Sequence, residues 1–80
     1  MKLPRDLSGA ELVKLLVRDF GYLKIHQVGS HIILQHPGPP THRLAIPNHA
    51  PLRIGTLNAI LRSVATARGA SREDILQRLA

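Results

Sequence analysis

The spacing of the apolar residues changes at Gly21, from a helical period to an extended one. Before this glycine, leucines and valines recur three and four residues apart, which predicts an amphipathic helix over about residues 9–20. Ser8 and Glu11 form a capping box at its start, since each side chain can accept a hydrogen bond from the other residue's amide. After Gly21 strand-forming residues dominate. The 80 residues must therefore pack a helix and a sheet on one small core.

Three short runs of strand-forming residues follow the helix. Residues 22–28 and 31–36 are separated by the turn pair Gly29-Ser30, which predicts a hairpin. Residues 37–40 contain three prolines, which lack the amide donor that a sheet needs, so this segment predicts a turn. A third run, residues 42–46, completes an antiparallel meander.

The rest of the chain is predicted to be mainly helical. Apolar residues repeat at helical spacing over about residues 54–68, Gly69 ends the pattern, and a short helix begins near Ser71. The whole order predicts a single α+β domain over residues 1–80. We expect α-β-β-β-α, with helices on one face of a three-stranded antiparallel sheet, plus a short C-terminal helix.

Alternation along the strands predicts which side chains the helices leave uncovered. Leu23 and Ile25 are expected to pack against the helices, with Tyr22 on the opposite face. His42 is expected to share a face with the apolar residues of its own strand. The remaining polar side chains are expected on the open face of the sheet: Lys24, His26, His31, Gln35 and Arg43.

An excess of positive charge indicates a polyanionic partner. Eleven Lys and Arg residues against five Asp and Glu give a formal net charge of +6, which is typical of proteins that bind nucleic acid. We expect this charge to be concentrated on the open face around His31. One Phe, one Tyr and no Trp are too few for a base-stacking platform. Scattered carboxylates disfavour a two-metal nuclease centre, and the absence of cysteine excludes disulfides and thiolate chemistry.

The five histidines are the side chains best suited to move protons near neutral pH. Without a metal cluster or a cysteine, phosphodiester cleavage needs a nucleophile from the substrate, and only RNA brings one, the 2′-hydroxyl. A histidine could take its proton or protonate the leaving oxygen. Arg or Lys donors would stabilise the transition state. These arguments favour a ribonuclease over a deoxyribonuclease, with Lys24, His42 and Arg43 as candidates for the phosphate contacts.

Three motifs occur in order along the chain: Gly29-Ser30-His31, then Ile46-Pro47-Asn48-His49, then the segment from Gly55 to Leu61. Together they resemble the motifs of the HicA family of mRNA interferase toxins. The resemblance runs from about residue 8 to residue 69. It implies a fold like a double-stranded-RNA-binding domain, ribosome-independent cleavage of mRNA, and neutralisation by a HicB antitoxin.

The resemblance also implies site residues. The family's catalytic histidine corresponds to His31, and the chain departs from the family at His26, where an arginine is common. As RNA-binding candidates we take Lys24, His26, Ser30, His42 and Arg43. We expect no metal, no small-molecule cofactor and no membrane association. The chain shows neither a signal peptide nor a membrane span, so a cytoplasmic location is expected.

Other interpretations stay open. The domain could bind RNA without cutting it, or its exposed face could bind a protein. A metal site built from His26, His31, His36 or His42 is conceivable but is disfavoured, because no acidic residue accompanies them. His49 matches a family position, yet it could equally cap or bond the loop. Ser30 could be a turn residue or a weak phosphate donor.

Overall fold

The computed structural model describes residues 6–78, which form three helices and one three-stranded sheet. The elements in chain order are α1 (Gly9–Phe20), β1 (Leu23–Val28), β2 (His31–His36), β3 (His42–Pro47), α2 (Ile54–Arg68) and α3 (Arg72–Gln77). The predicted element order and the α+β class are confirmed. The predicted capping box is present as well, since the Ser8 hydroxyl accepts from the Glu11 amide and the Glu11 carboxylate accepts from the Ser8 amide.

The sheet is an antiparallel meander in the order β1-β2-β3. The tight turn between β1 and β2 depends on Gly29, whose φ of 59° lies in the left-handed region that favours glycine. Pairing of β2 with β3 runs without interruption from His31 opposite Pro47 to His36 opposite His42. The predicted hairpin and third strand therefore form as expected.

A β-bulge in β1 overturns part of the predicted alternation. Lys24 lies opposite Leu34, but His26 lies opposite Ile33, so Ile25 is an extra residue in β1. Side chains directly opposite each other share a face of the sheet. Lys24 therefore lies on the helix side with the buried Leu34, and the prediction that it faces outward with His31 is wrong.

The same shift reverses the apolar residues at the start of β1. Leu23 lies opposite Gln35, on the open face, where 57% of it is exposed, and Ile25 is 46% exposed. The prediction that both pack against the helices is wrong. Tyr22, which was placed on the outer face, is only 1% exposed and belongs to the core. One inserted residue accounts for these errors, because side chains alternate with a period of two.

The core lies between the sheet and the helices. The sheet contributes Ile32, Leu34 and Ile46, all at most 5% exposed. The helices contribute the apolar stripes that their spacing predicted: Leu12, Val13, Leu15 and Leu16 of α1, Leu57, Ile60, Leu61 and Val64 of α2, and Ile75 and Leu76 of α3. Both main helices contact β3, so the opposite face of the sheet is left open.

The start of α1 packs directly on the end of β3. A Cβ atom added to Gly9 would overlap the Pro47 carbonyl oxygen, so only glycine allows this approach. The Gly9 amide donates to the His49 carbonyl at 2.9 Å, and the Leu52 amide donates to the Leu7 carbonyl at 2.7 Å. The loop that follows β3 is thereby fixed across the beginning of α1.

Two glycines near helix starts test this contact. We expect Gly9→Ala to lower the free energy of unfolding by about 1–3 kcal/mol, because the added methyl group has no space. Gly55→Ala is the matched control, since no atom lies within 4 Å of its added Cβ, and it should leave stability unchanged or raise it by up to about 1 kcal/mol. Urea unfolding measures both, and equal effects would contradict the packing described.

Candidate functional site

His31 is the first residue of β2 and its side chain is exposed on the open face of the sheet. It pairs with Val28 on one side and with Pro47 on the other. The structure gives its imidazole no hydrogen-bond partner within residues 6–78. Both ring nitrogens are therefore accessible to a bound molecule.

The turn that presents His31 is held by two hydrogen bonds. The Gln27 side-chain amide donates to the Gly29 carbonyl at 3.0 Å. The Asn48 backbone amide donates to the Ser30 carbonyl at 2.6 Å, which ties the turn to the loop after β3. Because of this tie, residues that are distant in the sequence meet at one end of the sheet.

A small hollow lies at this end of the sheet. It has a volume of about 240 Å³ and is lined by Pro47, His49, Leu52, Arg53 and Thr56. Pro47 is the residue paired with His31, so the hollow and the exposed imidazole lie at the same end of the sheet. Arg53 is exposed, and its side chain makes no capping bond to α2. One end of the sheet therefore carries an imidazole, a guanidinium and a second histidine.

A second polar group lies on the helix side, which we call the His42 cluster: Tyr22, His36, His42, Ser63 and Arg68. Nδ1 of His42 lies 2.6 Å from the Tyr22 hydroxyl, and Nε2 lies 2.9 Å from the Ser63 hydroxyl. Burial lowers the pKa of His42, and the charges of Arg68 and His36 lower it further. Burial raises the pKa of Tyr22, with Arg68 acting in the opposite direction.

Arg68 fastens the proline-rich link to α2. One of its guanidinium nitrogens lies 2.6 Å from Nδ1 of His36, and the other donates to the Pro40 carbonyl. The Gly38 amide also donates to Nδ1 of His36, at 2.9 Å. The His42 cluster thus joins the far ends of β2 and β3 to the end of α2.

A larger groove, of about 580 Å³, lies beside the His42 cluster. Its polar lining comes from the start of β3 and from one side of α2: Thr41, His42, Arg62, Ser63 and Thr66. The groove and the smaller hollow lie near opposite ends of β3, since His42 begins this strand and Pro47 ends it.

Comparison with known protein families identifies the chain. The family model described as the HicA toxin of bacterial toxin-antitoxin systems matches residues 9–65. The chain belongs to the HicA toxin family. The resemblance carried by the three sequence motifs is confirmed, and the matched range holds α1, the whole sheet and most of α2. No curated protein and no solved structure matches the chain at a significant level.

The structure divides the predicted site residues of the toxin between two faces of the sheet. His26 and Arg43 share the open face with His31, since they lie opposite Ile33 and Gln35. Ser30 precedes His31 in the turn. Lys24 and His42 lie on the helix side instead, Lys24 because of the bulge. His42 was expected on the helix side, and it is half-buried there in its cluster.

The expected concentration of positive charge on the open face is not found. Arg43 is the one lysine or arginine that the strand pairing places there, and Leu23, Val28 and Ala45 give that face an apolar character. Other exposed arginines lie elsewhere: Arg53 directly precedes α2 and Arg62 lies within it. The expectation failed because it counted charges over the whole chain, whereas the fold distributes them over several faces.

Arg53 is a candidate site residue that the sequence analysis did not single out. It lies between two of the family motifs, at the N-terminal end of α2, and its position gave a usable signal. A basic residue rarely caps a helix start, because the helix dipole is positive there. An arginine at this place therefore suggests a role other than capping.

Residues 6–78 contain neither a cluster of metal-ligating side chains nor a helix suited to span a membrane. Within that range no three His, Asp or Glu side chains come together as metal ligands. None of the helices there combines the length and the apolar character that crossing a membrane requires.

His42 predicts a pH dependence of stability. Its pKa is ordinarily about 6.5 and is lowered in the folded toxin, so the unfolded chain binds the proton more readily. The resulting stabilisation is complete above pH 6.5 and is lost as the pH falls towards the lowered value. We expect the urea midpoint of the wild type to fall further than that of His42→Gln between about pH 7.5 and about pH 5. Parallel falls in the two proteins would contradict this assignment.

Proposed function

We propose that this toxin is a ribosome-independent mRNA endoribonuclease in which His31 performs the proton transfer. The observation that supports it is the exposed imidazole of His31, without a hydrogen-bond partner in residues 6–78, at the same end of the sheet as the hollow that Arg53 and His49 line. Proton-transfer groups and phosphate-binding groups are needed within reach of the same phosphodiester.

The chemistry follows from the groups available. His31 accepts the proton of a ribose 2′-hydroxyl, or it donates a proton to the leaving 5′-oxygen. The 2′-oxygen attacks phosphorus, the bond from phosphorus to the 5′-oxygen breaks, and the products are a 2′,3′-cyclic phosphate and a 5′-hydroxyl. One such proton transfer contributes about 10²- to 10⁴-fold to the rate.

The remaining groups bind and orient the RNA strand. Arg53 stabilises the charge that develops on the phosphate, and His49, which lines the same hollow, is the candidate for a second proton-transfer group. His26 and Arg43 contact phosphates farther along the open face, where the pairing with β2 places them. Ser30 mainly shapes the turn and can add one hydroxyl donor.

The toxin's partner is a HicB-type antitoxin, and the charge of +6 favours an acidic surface on that partner. The mRNA substrate places the reaction in the cytoplasm. The proposed chemistry needs neither a metal nor a small-molecule cofactor, so EDTA should leave cleavage unchanged.

Replacing His31 tests the proposal. We expect His31→Ala to lower the rate of cleavage of a single-stranded RNA by about 10²-fold or more in EDTA, with folding unchanged, because the side chain is exposed. Gln35→Ala is the control, on the same strand and face but opposite Arg43. It should cleave at close to the wild-type rate.

The comparison also separates the alternatives. Cleavage by His31→Ala at the wild-type rate would remove His31 from the mechanism. Salt-dependent RNA binding without any cleavage by the wild type would favour the non-catalytic RNA-binding module instead.

The substrate provides an independent test. An RNA carrying a single 2′-O-methyl group at the cleaved nucleotide should resist cleavage at that bond only, because the nucleophile is blocked. Gel electrophoresis of end-labelled RNA measures this, with the unmodified RNA as control. Cleavage of the methylated bond would contradict attack by the 2′-oxygen.

A further inference from the structure

We propose that the surface between α2 and β3, which we call the seam, is a second RNA-binding region. Its larger groove, beside the His42 cluster, binds one nucleotide of the substrate strand at a distance from His31. This inference rests on the proposed ribonuclease function.

The hollow near His31 and the larger groove lie on one continuous line. On the helix, the lining residues Thr56, Ala59, Ser63 and Thr66 are spaced by three and four, so they share one side of α2. On the sheet, Pro47 lines the hollow and His42 lines the groove, at the two ends of β3. A strand of six residues spans about 17 Å, so a short stretch of RNA could reach both.

The charge along the seam suits a polyphosphate strand. Arg53 lines the hollow and Arg62 lines the groove, and both side chains are exposed. No Asp or Glu lines either one, and within residues 6–78 neither arginine is in an ion pair. Two unpaired guanidinium groups, one lining the hollow and the other lining the groove, favour phosphates spaced along the seam.

The hydrogen bonds of the His42 cluster leave the Ser63 hydroxyl as a donor that faces the groove. Tyr22 keeps its proton, because burial raises its pKa, and it donates to Nδ1 of His42. His42 is neutral, because its pKa is lowered, so its one ring proton is on Nε2 and is donated to the Ser63 oxygen. The Ser63 hydroxyl proton is then available to an acceptor in the groove.

The remaining lining favours a ligand that is partly apolar. Pro40, Ala59 and Ala67 supply apolar surface, and the hydroxyl groups of Thr66 and Thr41 already donate to backbone carbonyls, so that each keeps its acceptor capacity. A volume of about 580 Å³ lies within the usual range for small-molecule sites. A base and ribose against the apolar surface, with a phosphate near Arg62, would use each of these groups.

The salt dependence of RNA binding tests the seam. The His31→Ala protein is titrated with a fluorescent single-stranded RNA at several salt concentrations. Removing one phosphate contact from a single strand lowers the slope of log K against log salt by about 0.7. We expect this loss from Arg62→Gln and no loss from Lys14→Gln, which removes an exposed charge from α1.

Two substitutions in the groove test whether it binds a nucleotide. Ala59→Phe and Ser63→Ala should each weaken binding of adenosine 5′-monophosphate to the toxin by about fivefold or more. In NMR titrations, this nucleotide should shift the amide signals of Thr41 and Thr66. Inorganic phosphate is the control ligand. Equal shifts with phosphate alone would show that the groove recognises charge rather than a nucleotide, and would overturn the proposal that it binds a nucleotide.

Other outcomes separate the two proposals. Equal salt slopes for Arg62→Gln and Lys14→Gln, with normal RNA cleavage by the wild type, would overturn the seam and leave the ribonuclease function standing. Antitoxin binding that is lost in Arg62→Gln while RNA binding is kept would assign the seam to a protein partner. A wild type that neither binds nor cleaves RNA would overturn the proposed function itself.

Discussion

One backbone hydrogen bond, from the Asn48 amide to the Ser30 carbonyl, connects the two halves of the toxin's candidate site. It ties the turn that presents His31 to the loop that brings His49 and Arg53 to the same end of the sheet. The bond forms because β2 and β3 pair without interruption and the loop is then held across the start of α1. Site geometry therefore depends on backbone contacts that involve none of the site's side chains.

Histidines on the two sides of the sheet have different surroundings, and these suit different tasks. His31 is exposed and has no hydrogen-bond partner within residues 6–78, as a group that exchanges protons with a substrate requires. His42 is half-buried and bonded through both ring nitrogens, to Tyr22 and to Ser63. Burial lowers its pKa, which favours the neutral ring and suits a fixed hydrogen-bonding role. The sequence composition does not distinguish His31 from His42, whereas the sheet places them on opposite faces.

Much of the fold could be predicted from local patterns, since helix caps, the Gly29 turn and the proline-rich link act over a few residues. The bulge at Ile25 could not, because the register of an edge strand depends on which residues of β2 pair with it. For the site, the family motifs indicated His31. They do not include Arg53, which lies between two of them and is brought to this end of the sheet by the fold of the loop after β3. The apolar residues on the open face could not be predicted from the net charge, because the net charge does not say which face each residue occupies.

The central claim is that His31 and the hollow at the same end of the sheet form one RNA-binding site. The most direct measurement is an NMR titration of the toxin with a short RNA that is 2′-O-methylated throughout and so cannot be cleaved. We predict that the imidazole signals of His31 and the amide signals of Arg53 and Thr56 shift together, with one shared dissociation constant. Shifts that leave His31 unchanged, or that follow a different dissociation constant at Arg53, would contradict the account.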